Sequence, residues 1–270
     1  MLEWQVAVGA DEAILDAPVD RYGLTDEVPR PAPRKGLLPG VPDKKLDDQT
    51  VAPMTQVAKS GAAQVLAVAE ARVLAAAAPD LARLAGAMVG YTHCELRQGA
   101  RNLVFADGQS AARVMIIGEA PGRDEDIEGR PFVGKAGQLL DRMLQAIGLS
   151  RAAPDPRQAV YITNVLPWRP PSNRTPDPAE IAMFLPFLER HITLADPDFI
   201  ILMGNTPCQA LLGRGGITKM RGDWVTVLGK PALPMVHPAY LLRMPAAKRE
   251  AWADLLALRA RLDVGAGALT

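Results

Sequence analysis

"GEAPGRDEDIEGRPFVGKAG", residues 118–137, joins an apolar run, "RVMII" (113–117), to a stretch with helical periodicity, "GQLLDRMLQAIG" (137–148). The first run predicts a strand. The second puts Leu139, Leu140, Met143, Leu144 and Ile147 on one face of a helix, with Gly148 as its stop. Strand, glycine-bearing connection and helix form the opening of an α/β unit. The pattern repeats downstream. "AVYITNV" (159–165) and "DFIILMG" (198–204) predict strands. "DPAEIAMFLPFLERHI" predicts a helix with Asp177 as N-cap, Pro178 at its first position and Glu180 completing a capping box. "NTPCQALLG" opens another helix, "DWVTVL" and "ALPMVHP" add strands, and "AAKREAWADLLALRARL" closes the chain as a helix. Strands alternating with helices predict three α/β/α layers around a central, mostly parallel sheet. Ligands of such sheets bind beyond the carboxyl ends of the strands. Residues 118–132, 164–174 and 237–243 fall there.

Residues 17–50 are rich in proline and poor in bulky apolar side chains, and are expected to be disordered or extended. Residues 1–16 could form a short helix. Residues 56–88 look helical, with an interruption at Pro79-Asp80. The expected division is a mostly disordered extension over 1–55, an alanine-rich helical segment over 56–88 and an α/β domain over 89–264. The 270 residues carry no formal net charge, so only a local basic face could serve nucleic acid. Cys94 and Cys208 are the only cysteines, which favours a reducing compartment. The N-terminus lacks a secretory pattern, and "AAQVLAVAEARVLAAAA" is broken by Glu70 and Arg72. A cytoplasmic monomer without membrane contact is the expectation.

Taken singly, the polar residues near the strand ends are ambiguous. Gly118 and Gly122 allow tight turning and close approach, while Glu119, Asp124, Glu125 and Asp126 could simply be a solvated acidic loop. The glycine spacing is not that of a phosphate loop, and carboxylates would repel phosphate. Phe132 could be core, Asn164 a turn cap and His237 a turn residue. "RPPSNRTP" could be a plain connection or a phosphate contact.

Together they are less ambiguous. "GEAPGRDEDIEGRPFVGKAGQLLDRML", "YITNVLPWRPPSNRTP" and "HPAYLLR", in this order and spacing, closely resemble the uracil-DNA glycosylase superfamily, nearest to its family 4 branch, from about residue 88 to 262. The resemblance implies base flipping into a narrow pocket and excision of uracil in base excision repair, leaving an abasic site. Gly118 and Ala120 would line the pocket, and Glu119 would organise water or electrostatics. Glu125 would fill the space beside uracil C5, Phe132 would stack on the base, and Asn164 would read its edge. His237 would donate to O2. Leu241 and Leu242 would wedge into the duplex, with Arg169, Arg174, Arg221 and Arg243 near phosphate. Arg123, Lys135, Lys219 and Lys248 are expected to share that basic face, giving a steep salt dependence. The substrate is uracil-containing DNA, single- or double-stranded.

The chain departs from the family twice. Family 4 carries four cysteines for a [4Fe–4S] cluster; the matching positions here are Tyr91, Cys94, Trp168 and Phe184. One thiolate cannot hold such a cluster, so no metal or cofactor is expected and the vacated volume should be filled by aromatic packing. Ala120 stands where the classical branch has a water-activating aspartate. Glu119 is the candidate instead, with a mostly electrostatic mechanism as fallback. One relative links covalently to DNA through an inserted histidine; no histidine lies between Gly122 and Phe132, so hydrolysis with turnover is expected. The competing reading is a non-catalytic binder of uracil-containing or single-stranded DNA. A nucleotide-binding α/β enzyme ranks behind both.

Overall fold

The computed structural model describes residues 54–267; the expected disordered extension and short N-terminal helix lie outside them. Two helices come first, α1 (Met54–Ala77) and α2 (Leu81–Gly90), separated at Pro79-Asp80 as the sequence predicts. Asp80 caps α2 by accepting from the Arg83 N–H at 2.7 Å. A single turn, α3 (Leu96–Gly99), leads to a two-residue edge strand, β1 (Asp107–Gly108), which no apolar run foreshadows.

The α/β units follow as β2 (Val114–Gly118), α4 (Arg123–Glu128), α5 (Lys135–Gln145), β3 (Val160–Asn164), α6 (Pro178–Ala195), β4 (Phe199–Met203) and α7 (Asn205–Leu212). After the short α8 (Ile217–Met220) come β5 (Val225–Val227) and β6 (Lys230–Met235), then α9 (Pro238–Arg243) and α10 (Lys248–Gly267). The sheet has six strands in the order β1-β3-β2-β4-β6-β5. The four inner strands are parallel, and each edge strand is antiparallel to its neighbour. Leu228 and Gly229 join β5 to β6 with positive φ at both positions, the geometry a two-residue hairpin turn of type I′ requires.

Strand alternation builds the two faces. Met115, Ile117, Ile200 and Leu202 point into the layer that also holds Leu84 of α2, Phe184 and Phe187 of α6 and Cys208 of α7. Val114, Ile116, Ile201 and Met203 point the other way, onto Leu140 and Leu144 of α5 and Leu255 and Leu258 of α10. Because both faces are covered, β2 and β3 are buried along their whole length, hence the unbroken apolar runs in the sequence. All four parallel strands end on the same side, and that edge carries the polar loops.

Candidate active site

A cavity of about 710 Å³ opens at that edge. Glu119, Phe132, Asn164 and His237 all line it, as do Ala120, Glu125, Arg174 and Arg243. The three loops are registered by backbone bonds as well as by the sheet. Val165 N–H donates to Gly118 O at 2.9 Å and Leu166 N–H to Glu119 O at 3.1 Å, so the second loop leaves β3 locked to the first.

The acidic cluster of the first loop is not a solvated loop. Residues 123–128 form α4, with Asp124, Glu125 and Asp126 in its first turn, where the helix dipole favours carboxylates. Asp126 is buried and accepts from the Arg101 N–H at 2.8 Å. Glu125 accepts from three backbone N–H groups: Gly122 at 3.1 Å, Val133 at 3.0 Å and Gly134 at 2.9 Å. Its carboxylate therefore ties the start of α4 to the segment after Phe132 while lining the cavity.

Phe132 holds a left-handed conformation (φ 55°), which non-glycine residues rarely adopt. Its ring stands over Gly118 and 5.3 Å from the His237 ring at 27°. Gly118 does not itself line the cavity, but a Cβ built on it would lie 2.6 Å from that ring and 2.4 Å from Asn164 Oδ1, so a larger residue would displace both side chains. Asn164 is 7% exposed, yet among the described residues no group hydrogen-bonds its side-chain amide. Its amide opens onto the cavity instead of being enclosed without a partner.

His237 is the N-cap of α9, and its Nδ1 accepts from the Ala239 N–H at 3.2 Å. In the neutral ring that bond assigns the proton to Nε2. Burial, and then the nearby Arg243 charge, push the ring's pKa down to about 4 against a smaller opposing pull from Glu125. Glu119 Oε2 accepts from the Thr206 hydroxyl at 2.5 Å, from the first turn of α7. Thr206, which no sequence motif singles out, therefore orients the candidate water-binding carboxylate.

Two of the three histidines are held neutral by desolvation: His237, and the fully buried His191, pushed down to about 3. Their unfolded values lie near 6.5. As pH falls below 6.5 the unfolded chain takes up these protons first, so stability is full above 6.5 and declines toward 4 and 3. We expect the unfolding free energy to drop by about 2 kcal/mol per histidine between pH 7 and 5, read by urea titration. His191→Gln should remove roughly half of that loss; an unchanged slope contradicts the assignment.

Not every sequence candidate reaches the cavity. Arg221 does not line it. Its Nε donates to Asp254 Oδ2 at 2.9 Å, its Nη2 bonds the same carboxylate, and Glu250 flanks it, so the guanidinium braces α10 rather than facing a phosphate. Leu241 is 1% exposed and packed in the core; it is no wedge, whereas Leu242 beside it is 45% exposed. Arg174 lines the cavity but is paired with Glu180 at 2.6 Å and Asp177 at 3.4 Å. Arg169 is fastened to Asn173 Oδ1 at 2.8 Å. Arg243 stays at the mouth, and Arg123, Lys135 and Lys219 are exposed. Lys248 borders a separate apolar groove with Trp252.

The four positions where the resemblance would place cluster cysteines do not suit a cluster. Tyr91, Cys94, Trp168 and Phe184 are all buried in one apolar layer. The Tyr91 ring meets Phe184 edge-on at 5.8 Å and Phe187 at 5.4 Å, and its hydroxyl donates to Ala67 O at 2.9 Å. Burial pushes the Cys94 thiol up to about 11, keeping it neutral. A single protonated sulfur among aromatics is no four-thiolate cage.

The profile of the "Uracil DNA glycosylase superfamily" matches residues 105–256. A type-4 uracil-DNA glycosylase of Thermotoga maritima is 41% identical over 157 residues, 56% of this chain and 78% of that protein. One from Pyrobaculum aerophilum is 38% identical over 188 residues, 65% of this chain and 91% of the relative. A third, from Saccharolobus solfataricus, is 41% identical over 162 residues, covering 56% and 72%.

Proposed function

Because the chain belongs to the uracil-DNA glycosylase superfamily, we propose that it removes uracil from DNA by hydrolysing the N-glycosidic bond. Free uracil and an abasic site are the products. The observation that supports this reading is Asn164 at the end of β3, largely buried as a residue, with its side chain lining the cavity beside the Phe132 ring. An amide offers one acceptor and one donor from a fixed plane. Uracil presents N3–H and O4 in the complementary order, whereas cytosine reverses it and would leave buried groups unpaired.

In this account the extruded base stacks on Phe132, and the Glu125 carboxylate occupies the space a thymine methyl would need. As the C1′–N1 bond breaks, its electron pair passes to the base and negative charge gathers on O2. The neutral His237 ring donates from Nε2 to that oxygen. Water adds its oxygen to C1′, and its proton passes to Glu119 or to solvent. With Thr206 on one oxygen, Glu119 keeps the other for the water. Ala120 supplies a backbone wall. Leu242 is the remaining apolar candidate for filling the gap in the duplex, and Arg243 faces the phosphates.

The enzyme is proposed to act monofunctionally as a cluster-free monomer in the bacterial cytosol, on single- or double-stranded DNA. The test is a uracil-containing oligonucleotide treated with protein and then alkali. Strand breakage at the uracil, with more than one turnover per enzyme, is expected. Binding without breakage would establish the alternative, a non-catalytic binder.

A further inference from the structure

Phe132 is held in a backbone conformation it would not adopt by itself, and something must hold it there. Arg151, in the turn after α5, is partly buried beside the loop and does not line the cavity. Its guanidinium uses both ends of its fork on that loop: one nitrogen donates to Pro131 O at 2.8 Å and the other to Phe132 O at 2.9 Å. Two carboxylates fix the guanidinium itself. Its Nε donates to Asp141 Oδ1 of α5 at 2.8 Å, and Nη1 also donates to Asp107 Oδ2 of β1 at 2.9 Å. Gly137 leaves the space for the carbonyl, since a Cβ there would fall 1.8 Å from Phe132 O.

We propose that Arg151 is a positioning residue for base recognition, holding the Pro131 and Phe132 carbonyls so that the Phe132 ring presents its face to the flipped pyrimidine. The inference rests on the reading that the base stacks on Phe132. A lysine keeps the charge opposite Asp107 and Asp141 but, as a point donor on a flexible stem, cannot hold two carbonyls in one plane. The unusual edge strand β1 then has a use: it delivers Asp107 to the brace.

A double-mutant cycle tests this, read as single-turnover uracil release and as KM on uracil-containing DNA, with a thermal melt of each variant. Arg151→Lys is expected to lower kcat/KM about tenfold, and Phe132→Ala by about tenfold or more. The double variant should be no worse than Phe132→Ala within about twofold, because the brace has nothing left to position. Multiplying losses, or an Arg151→Lys enzyme as active as wild type, would overturn the proposal. If Phe132→Ala alone is fully active, the stacking reading has failed instead, and the proposal falls with it. Should Arg151→Lys not fold, Asp141→Asn releases one side of the same brace and should show the same coupling to Phe132→Ala.

Discussion

His237→Ala is expected to lower kcat for uracil release by about 10²–10³, with KM changed by less than about threefold. In the proposed mechanism the donor acts where charge develops, on O2 of the departing base, and contributes little while the base is still neutral. Its protonation state is already set. Burial holds the ring neutral down to about pH 4, and the Ala239 N–H occupies Nδ1, leaving Nε2–H as the donor. The wild-type rate should therefore show no inflection from this histidine between pH 6 and 8. His237→Gln, which restores an N–H donor, should recover part of the rate. A loss below about fivefold in His237→Ala would remove His237 from the oxyanion role.

Gly118→Ala is expected to abolish at least about 99% of excision activity while leaving the protein folded, at a stability cost of about 1–3 kcal/mol. The new methyl would meet Asn164 Oδ1 at 2.4 Å and the Phe132 ring at 2.6 Å. Those are the groups assigned to the edge and the face of the base. Gly118 is not among the residues with positive φ, so alanine meets no backbone strain there and the damage is confined to the cavity. Single-turnover assays with a circular dichroism melt separate the two effects. Near wild-type activity would mean that the base does not sit between Phe132 and Asn164.

The sequence told most where local physics decides. The apolar runs of β2, β3 and β4 and the capped start of α6 fixed the sheet and the edge where Glu119, Phe132, Asn164 and His237 converge. What it withheld depends on tertiary partners. Arg221 looks like a free cation until Asp254, 33 residues later, closes on it. Leu241 and Leu242 are chemically identical, and the phase of the six-residue α9 decides which is buried. The carboxylates of α4 look excessive beside a strand end, yet Glu125 and Asp126 satisfy N–H groups that would otherwise be orphaned by the turn. Arg151 and Thr206 were invisible for the same reason: Thr206 reaches Glu119 across 87 positions. The packing of Tyr91, Cys94, Trp168 and Phe184 into one apolar layer was legible, because three large aromatics near a lone thiol favour burial together.

The most direct measurement compares single-turnover base release from otherwise identical oligonucleotides that carry uracil, thymine or cytosine at one position. The account predicts release of uracil and at least about 10²-fold slower release of the other two, since each brings a clash or an unpaired buried group into the cavity. Equal rates for the three bases, or none for uracil under conditions where the folded protein binds the strand, would contradict it.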